Sequence, residues 1–346
     1  MKSHTVTIAT GEKVPCAPDQ TLLDAALRQG VWLPNSCNQG TCGTCTVRVM
    51  EGTVDHRDSP HVTLSPTDRS QGMALACQAT PCGDVAIKSE QAANGPATVH
   101  PLRDFVGTVS SVEDIAEQTR RVVLLLDEPL TFTPGQYVEL TVPGTADRRH
   151  YSIANVPGED GTVSEVELHL KRHPGGVATD RWAFGSMVLG ERVELSGPLG
   201  DFRCADLDSD GGVIMIAGGT GLAPILSILQ TLLAARPDRE VHLYQSARTE
   251  GELYGQELLD KLESRYANFS VKPCLTRQTW DGRTGYASEM VIEEFSTLRG
   301  WSGYLCGPPA LVEAGRQAFK RRRMSPRQIY WEKYTSAINE EVAVAV

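Results

Sequence analysis

Three cysteines crowd one short stretch, Cys37-Asn38-Gln39-Gly40-Thr41-Cys42-Gly43-Thr44-Cys45, and a fourth, Cys77, lies further along the chain. The spacing, C-x4-C-x2-C followed by a distant Cys, is one that holds a [2Fe–2S] cluster. Such a cluster needs four thiolates, two per iron, arriving from different directions. A tight loop supplies three and a separate element supplies the last. Gly40 and Gly43 suit this reading, because the loop backbone must approach the inorganic sulfides closely. A zinc site would more often show two C-x2-C pairs, and only Cys42 and Cys45 are so spaced. A disulfide framework belongs to small secreted chains. Cys82 is a rival fourth ligand. Cys77 is preferred because it ends the apolar run Met73-Ala74-Leu75-Ala76, whereas Pro81-Cys82-Gly83 reads as a turn.

A cluster of this kind passes one electron at a time, so the rest of the chain must say where electrons enter and leave. With 346 residues, two or three domains are expected. The texture supports three. Residues 1–90 carry short strands and one helix, Leu22–Arg28, a combination that suggests a β-grasp fold. Residues 91–101 are small, polar and flanked by proline, and read as a linker. From 102 to 205, short strands (Phe105–Ser111, Arg121–Leu126, Tyr137–Val142, His150–Ala154, Val166–Arg172, Arg192–Ser196) alternate with Pro-Gly turns, which predicts an antiparallel barrel with one helix near Ala178–Phe184. From 206 to 346, strands and helices alternate, which predicts a parallel α/β sheet. The apolar run Gly212–Ala235 has the length of a membrane span, but Gly218, Gly219, Gly221 and Pro224 break it into strand, turn and helix. The expected fold is therefore multidomain, α+β and α/β.

Net charge of −10 argues against nucleic-acid binding. Nine cysteines, and no apolar signal-peptide core in Met1–Glu12, point to a reducing cytoplasm.

Two motifs in the middle segment suit a ligand that carries phosphate and an aromatic ring system. In Arg149-His150-Tyr151-Ser152, alternation along a strand would place Arg149 and Tyr151 on one face. Arg149 suits a pyrophosphate, Tyr151 an aromatic ring, and Ser152 a ring nitrogen or carbonyl. The alternative is an ordinary strand with a surface arginine. Gly175-Gly176-Val177-Ala178-Thr179 opens the expected helix, whose N-terminus either binds phosphate or is simply capped. In the last segment, Gly218-Gly219-Thr220-Gly221 sits between a buried strand and a helix, a setting for a dinucleotide. Cys306-Gly307-Pro308-Pro309 ends another apolar strand, where open α/β sheets bind ligands; a lone cysteine there is otherwise packing.

Taken together, these motifs resemble the ferredoxin–NADP reductase superfamily in the form with an N-terminal plant-type ferredoxin domain. The resemblance is nearest to reductase components of bacterial multicomponent oxygenases of the phenol hydroxylase, soluble methane monooxygenase and benzoate dioxygenase types, the phenol hydroxylase type above all. It covers essentially the whole chain. It implies Cys37, Cys42, Cys45 and Cys77 as cluster ligands, and Arg149, Tyr151, Ser152, Gly175, Gly176 and Thr179 around FAD. Gly218, Gly219, Thr220, Gly221, Cys306, Gly307 and Pro308 would line the nicotinamide site. Cys306, Ser152 and Tyr334 would stand at the reacting centre, with Trp331-Glu332-Lys333-Tyr334 near the flavin ring. Twelve residues follow Tyr334. The implied activity is electron transfer from NADH through FAD and the cluster to a separate oxygenase or hydroxylase component acting on aromatic or hydrocarbon substrates. Such a chain would be monomeric, with no membrane or nucleic-acid partner. The alternatives are a reductase of the same build serving a sugar dehydratase system, and a non-enzymatic redox sensor.

The donor is the least constrained. Selectivity should sit after Val241-His242-Leu243-Tyr244. There Ser246 and Arg248 lean toward NADPH and Glu250 opposes it, unless Arg248 is solvated or paired with Glu250 or Glu252. The basic run Lys320–Arg323 reads as a solvated helix end. The resemblance to catabolic reductases selects NADH, with NADPH as the alternative.

Overall fold

The computed structural model describes residues 3–89, 95–96, 98–205 and 207–334. The expected linker falls partly, and the residues after Tyr334 wholly, outside the described residues. The chain forms two compact units: Met1–Asp104 with Ser196–Asp201, and Phe105–Leu195 with Phe202–Val346.

The first unit contains β1 (His4–Ile8), β2 (Lys13–Cys16), α1 (Leu22–Arg28), β3 (Thr46–Glu51), β4 (Val54–Asp55), α2 (Pro66–Ser70), β5 (Met73–Leu75), β6 (Thr80–Pro81) and β7 (Val85–Lys88). The main sheet has the order β2-β1-β7-β3-β5, and β4 pairs with β6. β1 and β7 run parallel, and the other pairings are antiparallel. A mixed sheet with one apolar helix is the expected β-grasp. Thr21 caps α1 by accepting from the Asp24 amide, and the helix buries Leu22, Leu23, Ala25, Ala26 and Leu27. The sequence reading did not foresee α2, a single turn closed by a capping box between Ser65 and Asp68.

Lying mainly in the second unit, β8 (Arg103–Ala116), β9 (Thr119–Thr131), β10 (Tyr137–Thr141), β11 (Arg148–Ser152), β12 (Thr162–Lys171) and β13 (Arg192–Leu199) form an antiparallel sheet ordered β11-β10-β13-β8-β9-β12. An antiparallel bridge from Ile153 to Leu168 joins its two edges and closes the barrel. β8 and β9 are far longer than the expected Phe105–Ser111 and Arg121–Leu126. Bulges at Val109/Ser111 and Asp114/Ala116 let them bend without losing their partner. Val109, Leu124, Val138, Ile153 and Leu168 fill the interior. The expected helix near Ala178–Phe184 is a wider one, Val177–Ser186. The amides of Arg181 and Met187 reach back to Gly176 and Trp182, a five-residue spacing.

The same unit holds β14 (Val213–Gly218), α3 (Leu222–Ala235), β15 (Val241–Ala247), α4 (Gln256–Arg265), β16 (Phe269–Leu275), β17 (Arg283–Thr284), α5 (Ala287–Glu294), β18 (Ser302–Gly307), α6 (Pro309–Arg321) and β19 (Ile329–Lys333). All strands pair in parallel, in the order β17-β16-β15-β14-β18-β19. The order reverses between β14 and β18, which is the ligand-binding point of such sheets. β19 was not legible as a strand, because it is short, carries Glu332 and Lys333, and pairs only with β18. Among the described residues, no helix is long and apolar enough to cross a membrane.

Phe319 of α6 is fully buried, and its ring lies where a Cβ on Gly303 of β18 would stand. Phe319→Ala should therefore cost about 3–5 kcal/mol. A denaturant titration that left the midpoint unmoved would contradict this packing.

Candidate functional site

The cysteine loop is held open by residues in the left-handed region, Asn38, Gly40 and Gly43. That curvature turns backbone amides toward sulfur. Cys42 N–H donates to Cys37 Sγ at 3.3 Å, Gln39 N–H to the same sulfur at 3.5 Å, and Thr44 N–H to Cys42 Sγ at 3.5 Å. Cys77 follows β5 and brings its Sγ to 3.2 Å from Cys45 Sγ, while Cys82 is exposed. Among the described residues no three His, Cys, Asp or Glu side chains converge on a single metal-ion position. The four thiols instead form two pairs, Cys37 with Cys42 and Cys45 with Cys77. Two pairs are what two irons with two thiolates each require, and the donor set fits a [2Fe–2S] cluster. Hydrogen bonding from the Cys42 thiol, aided by the amides of Gln39 and Cys42, pulls the Cys37 thiol well below its usual range.

Just ahead of this loop, Asp201 accepts from Trp32 Nε1 and from the Asn35 amide, both at 2.8 Å. The buried Asn35 side chain accepts in turn from the Gly200 amide. Nothing in the sequence linked positions so far apart.

On β11, Leu140 lies opposite Arg149 and Val138 opposite Tyr151, so these two side chains share a face. Tyr151 packs against the barrel core, and Ser152 is buried. Arg149 lies 3.4 Å from Asp147. Gly175 has a positive φ, and a Cβ there would meet nothing. Thr179 Oγ1 accepts from the His173 amide, which fixes the turn that opens the helix. No side chain caps that helix N-terminus. Amides left in this state are suited to a phosphate.

At the reversal point the two remaining motifs touch. A Cβ on Gly221 would overlap the Cys306 carbonyl, and one on Gly307 would lie 2.9 Å from the Gly218 oxygen. Gly219, by contrast, faces open space. Here β19 also delivers its end: Tyr334 N–H donates to the Gly307 carbonyl at 2.9 Å. The Tyr334 and Ser152 hydroxyls are 2.8 Å apart, Ser152 Oγ lies 3.4 Å from Glu332 Oε2, and Cys306 Sγ lies 3.9 Å from the same oxygen. Ser152, Cys306 and Tyr334 thus come together as the sequence reading grouped them, with Glu332 as a fourth member that it left without a role. Tyr254 was missed altogether. Its hydroxyl reaches the Gly219 carbonyl at 3.5 Å and His169 Nδ1 at 3.2 Å. Arg248 pairs with Glu252 rather than Glu250.

Family models match in the order this geometry implies: a 2Fe-2S iron-sulfur cluster binding domain over residues 6–82, an oxidoreductase FAD-binding domain over 107–204, and an oxidoreductase NAD-binding domain over 215–317. The chain is 51% identical over 330 residues to the reductase subunit of an aromatic O-demethylase from Amycolatopsis, covering 94% of this chain and 97% of that one. It is 38% identical over 341 residues to the reductase component of phenol 2-monooxygenase from Pseudomonas sp. strain CF600, covering 97% and 95%. The crystal structure of an Amycolatopsis cytochrome P450 reductase, GcoB, superposes with a TM-score of 0.92 at 50% identity, covering 96% of this chain and 99% of that one. The chain belongs to the ferredoxin–NADP reductase superfamily. It is an oxidoreductase of the oxygenase-reductase group, with domains for a [2Fe–2S] cluster, FAD and NAD.

In this reductase, burial pushes the Glu332 carboxyl up to about 8, against lowering hydrogen bonds from Ser152 and Cys306. The acid is neutral in the folded chain where it would be ionised in the unfolded one. Between the ordinary value of 4.5 and about 8, the folded state therefore binds the extra proton, and stability falls as pH rises through that window. Glu332→Gln should flatten this slope. Denaturation midpoints measured from pH 5 to pH 9 that fell equally in both proteins would exclude Glu332 as the cause.

Proposed function

We propose that this reductase takes electrons from NADH and delivers them singly to the oxygenase component of a system acting on aromatic substrates. What carries the reading is one chain that combines two thiol pairs with the Ser152–Cys306–Tyr334 cluster at the sheet's reversal point, and that matches oxygenase reductases over nearly its full length. The relatives named above put forward two acceptor types, a cytochrome P450 and a phenol monooxygenase. The first is favoured by the higher identity. The chain would act as a monomer in the cytoplasm. Its working parts are 1–90 for the cluster, 102–205 for FAD and 206–346 for the nicotinamide, joined by 91–101.

Cys37, Cys42, Cys45 and Cys77 would hold the cluster. Arg149 and the amides after Gly175 and Gly176, with the turn fixed by Thr179, would hold the pyrophosphate of FAD. Tyr151, Ser152 and Tyr334 would bound its ring. Gly218–Gly221, Cys306, Gly307 and Pro308 would receive the nicotinamide. Bound together, the flavin accepts a hydride and the cluster accepts single electrons, so the pair converts two-electron into one-electron chemistry. The protein's own part is positional. Ser152 and Tyr334 orient each other through one hydrogen bond, and β19 ties Tyr334 to the Gly307 carbonyl. Buried Glu332 keeps its proton between Ser152 and Cys306, so this cluster of side chains is uncharged.

Anaerobic mixing with NADH and a candidate cytochrome P450, read as the carbon monoxide complex of the reduced haem, tests the acceptor. Reduction of a phenol monooxygenase instead would select the other type. Cys42→Ser should lose the cluster's visible absorption while NADH-dependent ferricyanide reduction largely survives. Full cytochrome c reduction by a cluster-free variant would rule out a linear path. Arg149→Ala should emerge from gel filtration depleted in flavin, and mass analysis of the released flavin should give FAD rather than FMN.

A further inference from the structure

β15 is the second strand of the nicotinamide sheet in chain order, and the residues after such a strand select between a free and a phosphorylated ribose. β15 ends at Ala247, and the next residue is Arg248. A bare arginine here would favour a 2′-phosphate. This arginine is committed elsewhere. Its Nε and Nη2 both donate to Glu252 Oε1, and its backbone amide donates to Glu252 Oε2 at 3.1 Å. Lys171, from barrel strand β12, adds its ammonium to the same carboxylate at 3.2 Å. The Glu252 side chain is only 10% exposed, whereas that of Arg248 is 48% exposed. The carboxylate is therefore the fixed member, and the guanidinium is the one drawn to it. Against the penalty of burial, the hydrogen bonds from Arg248 and the charge of Lys171 hold Glu252 ionised, at about 2.

The surroundings carry the same sign. Glu117, Thr249, Glu250, Gly251 and Gln278 line an open crevice at this loop. The loop is pinned there, because the Glu117 amide donates to the Gly251 carbonyl at 2.8 Å and the Glu250 amide to Gln278 Oε1 at 2.9 Å. A 2′-phosphate arriving here would meet the carboxylates of Glu117 and Glu250, and an arginine already paired with Glu252. A ribose hydroxyl carries no such penalty.

We infer that Glu252 is the donor-specificity residue of this reductase, acting by holding Arg248 away from a 2′-phosphate. The inference rests on the nicotinamide reading above. It makes the preference for NADH a consequence of one anion C-terminal to Arg248, and not of an acidic residue at the strand end itself.

Two variants test it. In flavin-loaded Glu252→Gln, the ratio of kcat/KM for NADPH to that for NADH, with ferricyanide as acceptor, should rise about tenfold or more. Calorimetric affinity for 2′,5′-ADP should rise, while that for 5′-AMP changes little. Adding Arg248→Ala to this variant should cancel both gains. Arg248→Ala alone should leave the ratio unmoved, because the arginine is not available to phosphate in the native chain. Equal losses with both donors in Glu252→Gln would show a merely structural ion pair and overturn the proposal. A selective loss with NADPH in Arg248→Ala alone would also overturn it. A native protein that prefers NADPH would instead refute the choice of NADH itself.

Discussion

Two turns meet backbone to backbone where the strand order of the parallel sheet reverses, and the nicotinamide half of the molecule depends on that contact. Gly221 lies against the Cys306 carbonyl and Gly307 against Gly218. No side chain can be inserted at either point without moving main chain. Sequence and topology impose this together: β14 and β18 are adjacent only because β15–β17 and β18–β19 extend the sheet in opposite directions. The crevice at such a reversal belongs to the strand arrangement itself. The glycines decide how near a ligand can come to it. Gly219, whose Cβ would point into open space, marks the side left free. The same contact positions the Ser152–Tyr334 pair, since the Gly307 carbonyl accepts from Tyr334 and so fixes the end of β19 next to Ser152.

Much of this was readable before any coordinates. Cysteine spacing named the four thiols, because a cluster demands a fixed number of ligands and a loop of one shape. Alternating apolar strands and Pro-Gly turns gave the barrel, and the strand–glycine–helix passage at 213–235 gave the nicotinamide sheet. The failures have a common cause. β19 is an edge strand whose polar residues hide its periodicity, and the long strands β8 and β9 are extended by bulges that interrupt alternation. Asp201 and Asn35 form a hydrogen bond across 166 positions, and Ser152 and Tyr334 across 182. Pairings of that range are products of the fold, with no local pattern to announce them. Arg248 was open to several readings because a sequence lists charges without saying which pairs close.

Glu332 and Glu252 show how far the same residue type can be driven apart by its partners. Both are largely buried. Glu332 faces a hydroxyl and a thiol, groups that donate hydrogen bonds but no charge, and it retains its proton to about 8. Glu252 faces a guanidinium and an ammonium, and it is ionised down to about 2. Burial raises both, so desolvation alone cannot explain the difference; the formal charge of the neighbours does. The consequence is spatial. Neutrality is kept beside Ser152 and Cys306, where only uncharged donors reach the carboxyl. A fixed anion is kept in the turn after β15, where it holds Arg248 and Lys171. Two glutamates of one fold thus hold opposite protonation states, set by the charge of their partners.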